Sequence, residues 1–267
     1  MNTPCILLTN DDGIASPGLA AAAEALLPLG RVIVAAPLEQ QTSMGRAHTG
    51  NPEARFEPYP LRINGTELEA YSLEASPAAV VRHFFLALPD RKPDLVVAGV
   101  NYGENIGVSV TSSGTVGAAL EAAMRGAPAL AVSLETDAGA HRDYSTQDWS
   151  GSIHFTRFFA DIVLRGGMPP GVDVLKLEVP AGASADTPWR MTRLSPFMYY
   201  HSELPDPGLE SRRSDVRFRK QDRENEPCGT DAYVVRTERA VAVTPLGLDL
   251  TAKTPLSAVQ SWAEDYL

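Results

Sequence analysis

Apolar residues in this chain concentrate in short strand-like runs, some of them interrupted by polar residues, and these alternate with segments whose apolar positions recur every three or four residues. Cys5-Ile6-Leu7-Leu8 is the first run, and Arg31-Val32-Ile33-Val34-Ala35-Ala36, ended by Pro37, is the second. Leu68 to Leu73, Asp94 to Val100, Leu130 to Leu134 and Val172 to Val179 continue the series. Runs of this length, bounded by turn residues, predict buried strands. Between them, Ser16-Pro17-Gly18-Leu19 opens a helix with a capping residue and proline at its first position. Ser76-Pro77 opens a second helix through Val80, Val81, Phe84, Phe85 and Leu88. Ser113-Gly114-Thr115 opens a third that carries Val116, Leu120 and Met124 and stops at Gly126, and a fourth is expected from about Ser152 to Leu164. Strands separated by helices are βαβ units, so the predicted class is α/β with a mostly parallel sheet covered on both faces. Right-handed crossovers then align the C-terminal ends of the strands along one edge.

The pattern changes near Pro180. Residues 181–230 are polar and turn-rich, with mixed charge from Ser211 to Glu226. Tyr233-Val234-Val235-Arg236 and Ala240-Val241-Ala242-Val243 read as two antiparallel strands, and residues 257–267 as a terminal helix. Arg217-Phe218-Arg219-Lys220 has the charge for a phosphate site. Flanked by Asp215, Asp222 and Glu224, it reads instead as a solvated hairpin. There are no internal repeats. The domain expectation is a core over residues 1–184 and a hairpin and C-terminal arm over 185–267, partly packed back on that core.

Composition narrows the partners. The 267 residues carry a formal charge of -10, which leaves no basic surplus for a nucleic-acid backbone. A small phosphate ligand is still compatible, because a bound cation reverses the local sign. Cys5 and Cys228 are far apart and outside any CxxC arrangement, so neither a disulfide framework nor a zinc site is expected, and Cys5 reads as an inert buried thiol. No apolar stretch is long enough to span a bilayer. With the first strand so near residue 1 no secretory leader is expected, and the cytoplasm is the expected compartment.

The candidate chemistry lies at the strand ends, where open α/β sheets bind ligands. Thr9-Asn10-Asp11-Asp12-Gly13 follows the first strand, and side-by-side acids there suit a hard divalent cation. The second strand runs into a loop with two hydroxyls, Thr42 and Ser43, and ends at Gly45. Val100-Asn101-Tyr102-Gly103-Glu104-Asn105-Ile106-Gly107 follows the fourth. Thr111-Ser112-Ser113-Gly114-Thr115 leads into a helix N-terminus, whose free N–H groups and dipole favour an anion. Taken together these segments offer two carboxylates, a hydroxyl and an amide carbonyl to a cation, with an anion site beside them. That is the apparatus of metal-assisted phosphoester hydrolysis. No HExxH, GxSxG, GxxxxGK[ST] or GxGxxG pattern is present, which removes support for zinc-protease, serine-hydrolase, P-loop and dinucleotide readings. His48 lies near the hydroxyl loop and could line the cleft. His83, His141, His154 and His201 show no pairing.

These residues resemble the SurE survival-protein nucleotidases. The resemblance rests on Thr9-Asn10-Asp11-Asp12-Gly13-Ile14 with Pro17-Gly18, on Ala36-Pro37 followed by Thr42, and on Ala98-Gly99-Val100-Asn101 with Gly103, Asn105 and Gly107. It continues in Ser113-Gly114-Thr115-Val116-Gly117-Ala118-Ala119, Gly229-Thr230-Asp231 and Val241-Ala242-Val243-Thr244-Pro245-Leu246, so it covers nearly the whole chain in order. It implies a Rossmann-like three-layer sandwich with a C-terminal hairpin and arm for oligomerisation, giving homodimers or homotetramers. It implies one divalent metal ion, Mg or Mn, and hydrolysis of nucleoside 5'- and 3'-monophosphates, with polyphosphate as a further substrate of some members. By position the metal ligands map to Asp11, Asp12, Thr42 and Asn101, with Asp11, Asp12 and Asn101 as the catalytic set. Asn10, Gly13, Ser43, Asn105, Ser112, Ser113, Gly114 and Thr115 map to the substrate phosphate. Thr42 stands where the family has serine, so Ser43 is an alternative hydroxyl donor, and Ser112 stands where the family has tyrosine. The other readings left open are a phosphatase of a different small phosphate or polyphosphate, and a non-catalytic module that binds metal or nucleotide.

Overall fold

The computed structural model describes residues 3–266 except 89, 91, 138, 141, 142 and 222; His141, Asp222 and Leu267 of the preceding reading therefore lie outside the described residues. The first half of the chain runs β1 (Cys5–Thr9), α1 (Pro17–Leu26), β2 (Arg31–Pro37), β3 (Glu57–Pro58), β4 (Leu61–Ile63), β5 (Thr66–Leu73), α2 (Pro77–Ala87), β6 (Leu95–Tyr102) and α3 (Gly114–Met124). The second half runs β7 (Ala129–Leu134), α4 (Ser150–Gly166), β8 (Val174–Val179), β9 (Trp189–Met191), β10 (Tyr200–Glu203), β11 (Arg217–Lys220), α5 (Asp231–Tyr233), β12 (Val241–Leu246) and α6 (Leu256–Glu264).

The central sheet has the order β3-β5-β2-β1-β6-β7-β8-β12-β9. From β5 to β8 every neighbouring pair is parallel; β12 runs antiparallel to β8, and β3 and β4 pair antiparallel with β5. Side chains alternate between the faces of a strand, and the two cores follow that rule. Ile6, Leu8, Val32, Val34, Leu95, Val97, Leu130 and Val132 pack with Leu19 and Leu26 of α1 and Phe155 and Phe159 of α4. Leu7, Ile33, Ala35, Val96, Ala98, Ala129 and Ala131 pack with Val80 and Phe84 of α2 and Val116 and Ala119 of α3. The α/β, three-layer expectation therefore holds.

The chain builds outward from β1 through β2 to β5, then returns to β6 on the other side of β1. The connections after β1 and β6 consequently diverge and leave a crevice at their C-terminal ends. Asp11 and Asp12 follow β1, and Asn101 is the next-to-last residue of β6, so the order of the strands places all three at that crevice.

Two local expectations change. Residues 233–236 are helical, forming the end of α5 and a wide turn over Val234–Glu238, where a strand was expected. Thr230 caps this segment by accepting from Tyr233 N, and Val234 and Val235 bury against Ala240 and Ala242. Tertiary packing overrides the β-preference of a Tyr-Val-Val run. Cys5 is only partly buried and Cys228 is exposed. The basic run 217–220 is β11 of a hairpin with β10, as expected, and its first three residues are exposed. Lys220 turns inward instead. Among the described residues no helix is long and apolar enough to cross a membrane.

Candidate active site

The turn after β1 is drawn tight by its own side chains. Asn10 Nδ2 donates to Gly13 O at 2.9 Å, while Asn10 Oδ1 is buried with no hydrogen-bond partner among the described residues. Gly13 has φ +97°, and a Cβ there would lie 3.1 Å from the backbone carbon of Glu39. Only glycine fits a left-handed position pressed against another loop. This turn projects Asp11 and Asp12, which are 6% and 2% exposed.

Each acid is held from a different direction. Asp11 Oδ1 accepts the Thr115 hydroxyl at 2.5 Å, and a Cβ on Gly114 would come within 2.7 Å of Asp11 Oδ2. The N-terminus of α3 thus sits directly on this carboxylate, whose backbone O accepts from Gln41 N at 2.7 Å. Asp12 Oδ2 accepts from Tyr102 N at 2.9 Å and Oδ1 from Gln40 Nε2 at 3.1 Å, while its backbone O accepts the Tyr144 hydroxyl at 2.7 Å. The pair therefore fastens the ends of β1 and β6, the loop after β2 and the start of α3 to one another.

Burial pushes Asp11 up to about 6, against the lowering effect of the Thr115 hydroxyl and of the backbone N–H groups of Thr115 and Gly114. Burial, reinforced by the charge of Asp11, pushes Asp12 up to about 7. Two adjacent buried carboxylates with no basic side chain among their perturbing groups resist double ionisation. Asn101 is 9% exposed, and its Nδ2 is committed to Gly103 O at 2.6 Å, which leaves the amide oxygen as its free donor atom. Among the described residues no group of three or more His, Cys, Asp or Glu comes together as a metal cage. A cation here would complete its shell with neutral oxygens and water. Such an all-oxygen donor set of acids, amide and hydroxyls fits a hard divalent cation.

The remaining sequence-predicted residues divide by what their side chains already do. Thr42 and Ser43 continue the loop that tethers both acids, are exposed, and place Ser43 at φ +61°, a strained conformation for a residue with a Cβ. Ser113 caps α3 by accepting from Val116 N at 3.1 Å. Ser112 is exposed and donates to Ser109 O at 2.9 Å, a local turn bond. Thr115 is wholly buried with its hydroxyl on Asp11, so this side chain faces the acid and not open space. Asn105 Nδ2 reaches Ser133 Oγ at 3.0 Å at the end of β7. His48 lies 3.3 Å from Glu121 on the flank of α3 and is drawn toward that acid.

Sequence reasoning missed several supports. Tyr102 acts through its backbone N–H, which carries no residue signal. Lys220 reaches Glu104 Oε1 at 2.8 Å and Thr136 O at 2.5 Å, which seats the hairpin on the turn after β6. Lys176, Glu178 and Asp231 are fully buried beneath the same turn. Two charges in β8, a central strand expected to be continuously apolar, were the legible signal for that cluster.

The comparisons with known proteins agree on a family. The model of the survival protein SurE family matches residues 6–201. A protein of Methanocella arvoryzae named 5'-nucleotidase SurE is 41% identical over 92% of this chain and 93% of its own length. One of the same name from Thermococcus gammatolerans is 40% identical over 96% and 94%. The crystal structure of the SurE protein from Aquifex aeolicus superposes with a TM-score of 0.75 at 27% identity, covering 97% of this chain and 100% of that one.

Proposed function

Because this chain belongs to the survival protein SurE family, we propose that it is a metal-dependent phosphomonoesterase that hydrolyses nucleoside 5'- and 3'-monophosphates to nucleoside and phosphate. The observation that carries this reading is the pair Asp11 and Asp12, buried side by side at the crevice of the sheet and each pinned by hydrogen bonds. In this reading one Mg or Mn ion is held by Asp11, Asp12, Asn101 and the Thr42 hydroxyl, with Ser43 as the alternative donor. Asp11, Asp12 and Asn101 are the catalytic set. When bound, the cation supplies positive charge to the phosphoryl oxygens and makes water a better nucleophile.

The chain's own residues supply binding and orientation. The positive end of α3, which opens at the buried Ser113 and Gly114 beside the exposed Ser112, binds the phosphate next to Asp11. Asn105 contacts the phosphate from the opposite loop, and Asn10 and Gly13 shape the turn beneath it. Thr115 keeps Asp11 ionised and aimed. The attacking oxygen comes from water: the P–O bond to the nucleoside breaks, and the departing oxygen takes a proton. A side-by-side acid pair lacks the spacing of an aspartyl-phosphate enzyme, which is the reason for preferring water.

Residues 1–184 form the catalytic core in this account, and 185–267, partly packed back on that core through β9 and β12, supply assembly as a homodimer or homotetramer. Helix α6 supports that part, because its Leu256, Val259 and Trp262, with Tyr266 just beyond its end, are 75, 44, 63 and 79% exposed. A cytoplasmic setting accompanies the proposal.

Phosphate release from a panel of nucleoside monophosphates, sugar phosphates and polyphosphate, with manganese or with chelator, tests the reading. The expected result is release from nucleoside monophosphates that chelator abolishes and that Asp11→Asn eliminates without unfolding. Turnover retained in Asp11→Asn, or metal-dependent nucleotide binding with no release, would overturn it.

A further inference from the structure

We propose that Lys176, Glu178 and Asp231 are positioning residues that fix the turn Gly103–Gly107, and with it the Asn105 side chain, against the end of the sheet. The proposal rests on the reading above that Asn105 meets the phosphate.

The three side chains are wholly buried. Lys176 Nζ donates to Asp231 Oδ2 at 3.0 Å, to Glu178 Oε1 at 3.2 Å and to the backbone oxygen of Asn105 at 2.9 Å, which uses its three protons. Glu178 Oε2 accepts from Asn105 N at 2.9 Å, and Asp231 Oδ2 accepts from Gly107 N at 3.1 Å. Asp231 Oδ1 accepts from Ser195 N at 2.8 Å and from Ala232 N at 2.9 Å. Three of the bonds that leave the cluster therefore end on the backbone of one turn: both polar groups of Asn105 and the N–H of Gly107.

A buried charge cluster is an inefficient way to stabilise a core, since well-packed apolar side chains do at least as well. Its particular capacity is to hold backbone groups by strong charge-assisted bonds in one geometry. The turn needs such anchors, because it follows the irregular register between Ala98 and Asn101 of β6 and has no ladder of its own. From the other side Lys220 holds the neighbouring Glu104. Burial, with the charge of Asp231 adding to it, pushes Glu178 up to about 7 in spite of Lys176, as expected where two carboxylates share one ammonium.

Glu178→Ala frees the Asn105 N–H while leaving Lys176 and Asp231 as a balanced pair, and Glu178→Gln keeps an acceptor in place. Phe159→Leu, on the opposite face of the sheet in α4, serves as a control of comparable destabilisation. Glu178→Ala is expected to raise KM for a nucleoside monophosphate and weaken inhibition by inorganic phosphate about tenfold, the worth of one charge-assisted hydrogen bond. It is also expected to speed amide exchange at residues 105 and 107. Glu178→Gln should recover most of both effects, and Phe159→Leu should show neither. Should Glu178→Ala not fold, Asp231→Asn carries the same test through Gly107. Unchanged phosphate inhibition and exchange in the folded variant, or equal changes in Phe159→Leu, would overturn the proposal. Exchange is read without turnover, so a wild type that releases no phosphate would sink the nucleotidase reading and leave the anchoring to be judged on its own.

Discussion

At Asp11 a single carboxylate is pulled in two directions. Burial favours its neutral form, whereas the Thr115 hydroxyl and the N–H groups that open α3 favour its charge. Thr115→Val removes the 2.5 Å hydrogen bond while keeping the volume. It should cost about 1.5–3 kcal/mol of stability, the range for a hydrogen bond to a charged group, read from urea unfolding. Thr115→Ser should restore most of the loss, and a valine variant as stable as the wild type would contradict this role. Asp11, Asp12 and Asn101 were legible because they stand at strand ends, where periodicity alone locates them. The direction of the Thr115 hydroxyl was not, since its partner is 104 residues away in the chain. Backbone donors such as Tyr102 N were equally invisible, because any residue but proline supplies one.

Among the elements, the βαβ rhythm located six parallel strands and four helices because each buries an unbroken or periodic apolar face. It failed where local preference and tertiary packing disagree. Tyr233-Val234-Val235-Arg236 has strand-forming residues, yet the Thr230 cap and burial of two valines against β12 make it helical. The two-residue β3 and three-residue β4 were too short to carry a pattern. Helix α6 illustrates the opposite case: its helical span was readable, but every described residue in it is exposed in the single chain, and its apolar side chains line one stripe. A stripe of that kind demands a covering surface. Deleting residues 250–267 should leave the midpoint of thermal unfolding of the core nearly unchanged and shift the sedimentation coefficient from an oligomer toward a monomer. Unaltered assembly after the deletion would show that α6 is not the arm.

For the whole molecule, the strand order and the net charge act together. The reversal between β1 and β6 opens the crevice, and the sheet presents two acids there in a chain of formal charge -10. A phosphate monoester is itself an anion, so nothing in the global field attracts it. In the function proposed above, a cation at Asp11 and Asp12 reverses the local sign, and the rest of that proposal depends on the site. The most direct test is a calorimetric titration of manganese into metal-free protein. Wild type should bind one ion per chain, and Asp11→Asn/Asp12→Asn should bind at least about 100-fold more weakly. Manganese binding to the double variant with the affinity and stoichiometry of the wild type would contradict the account.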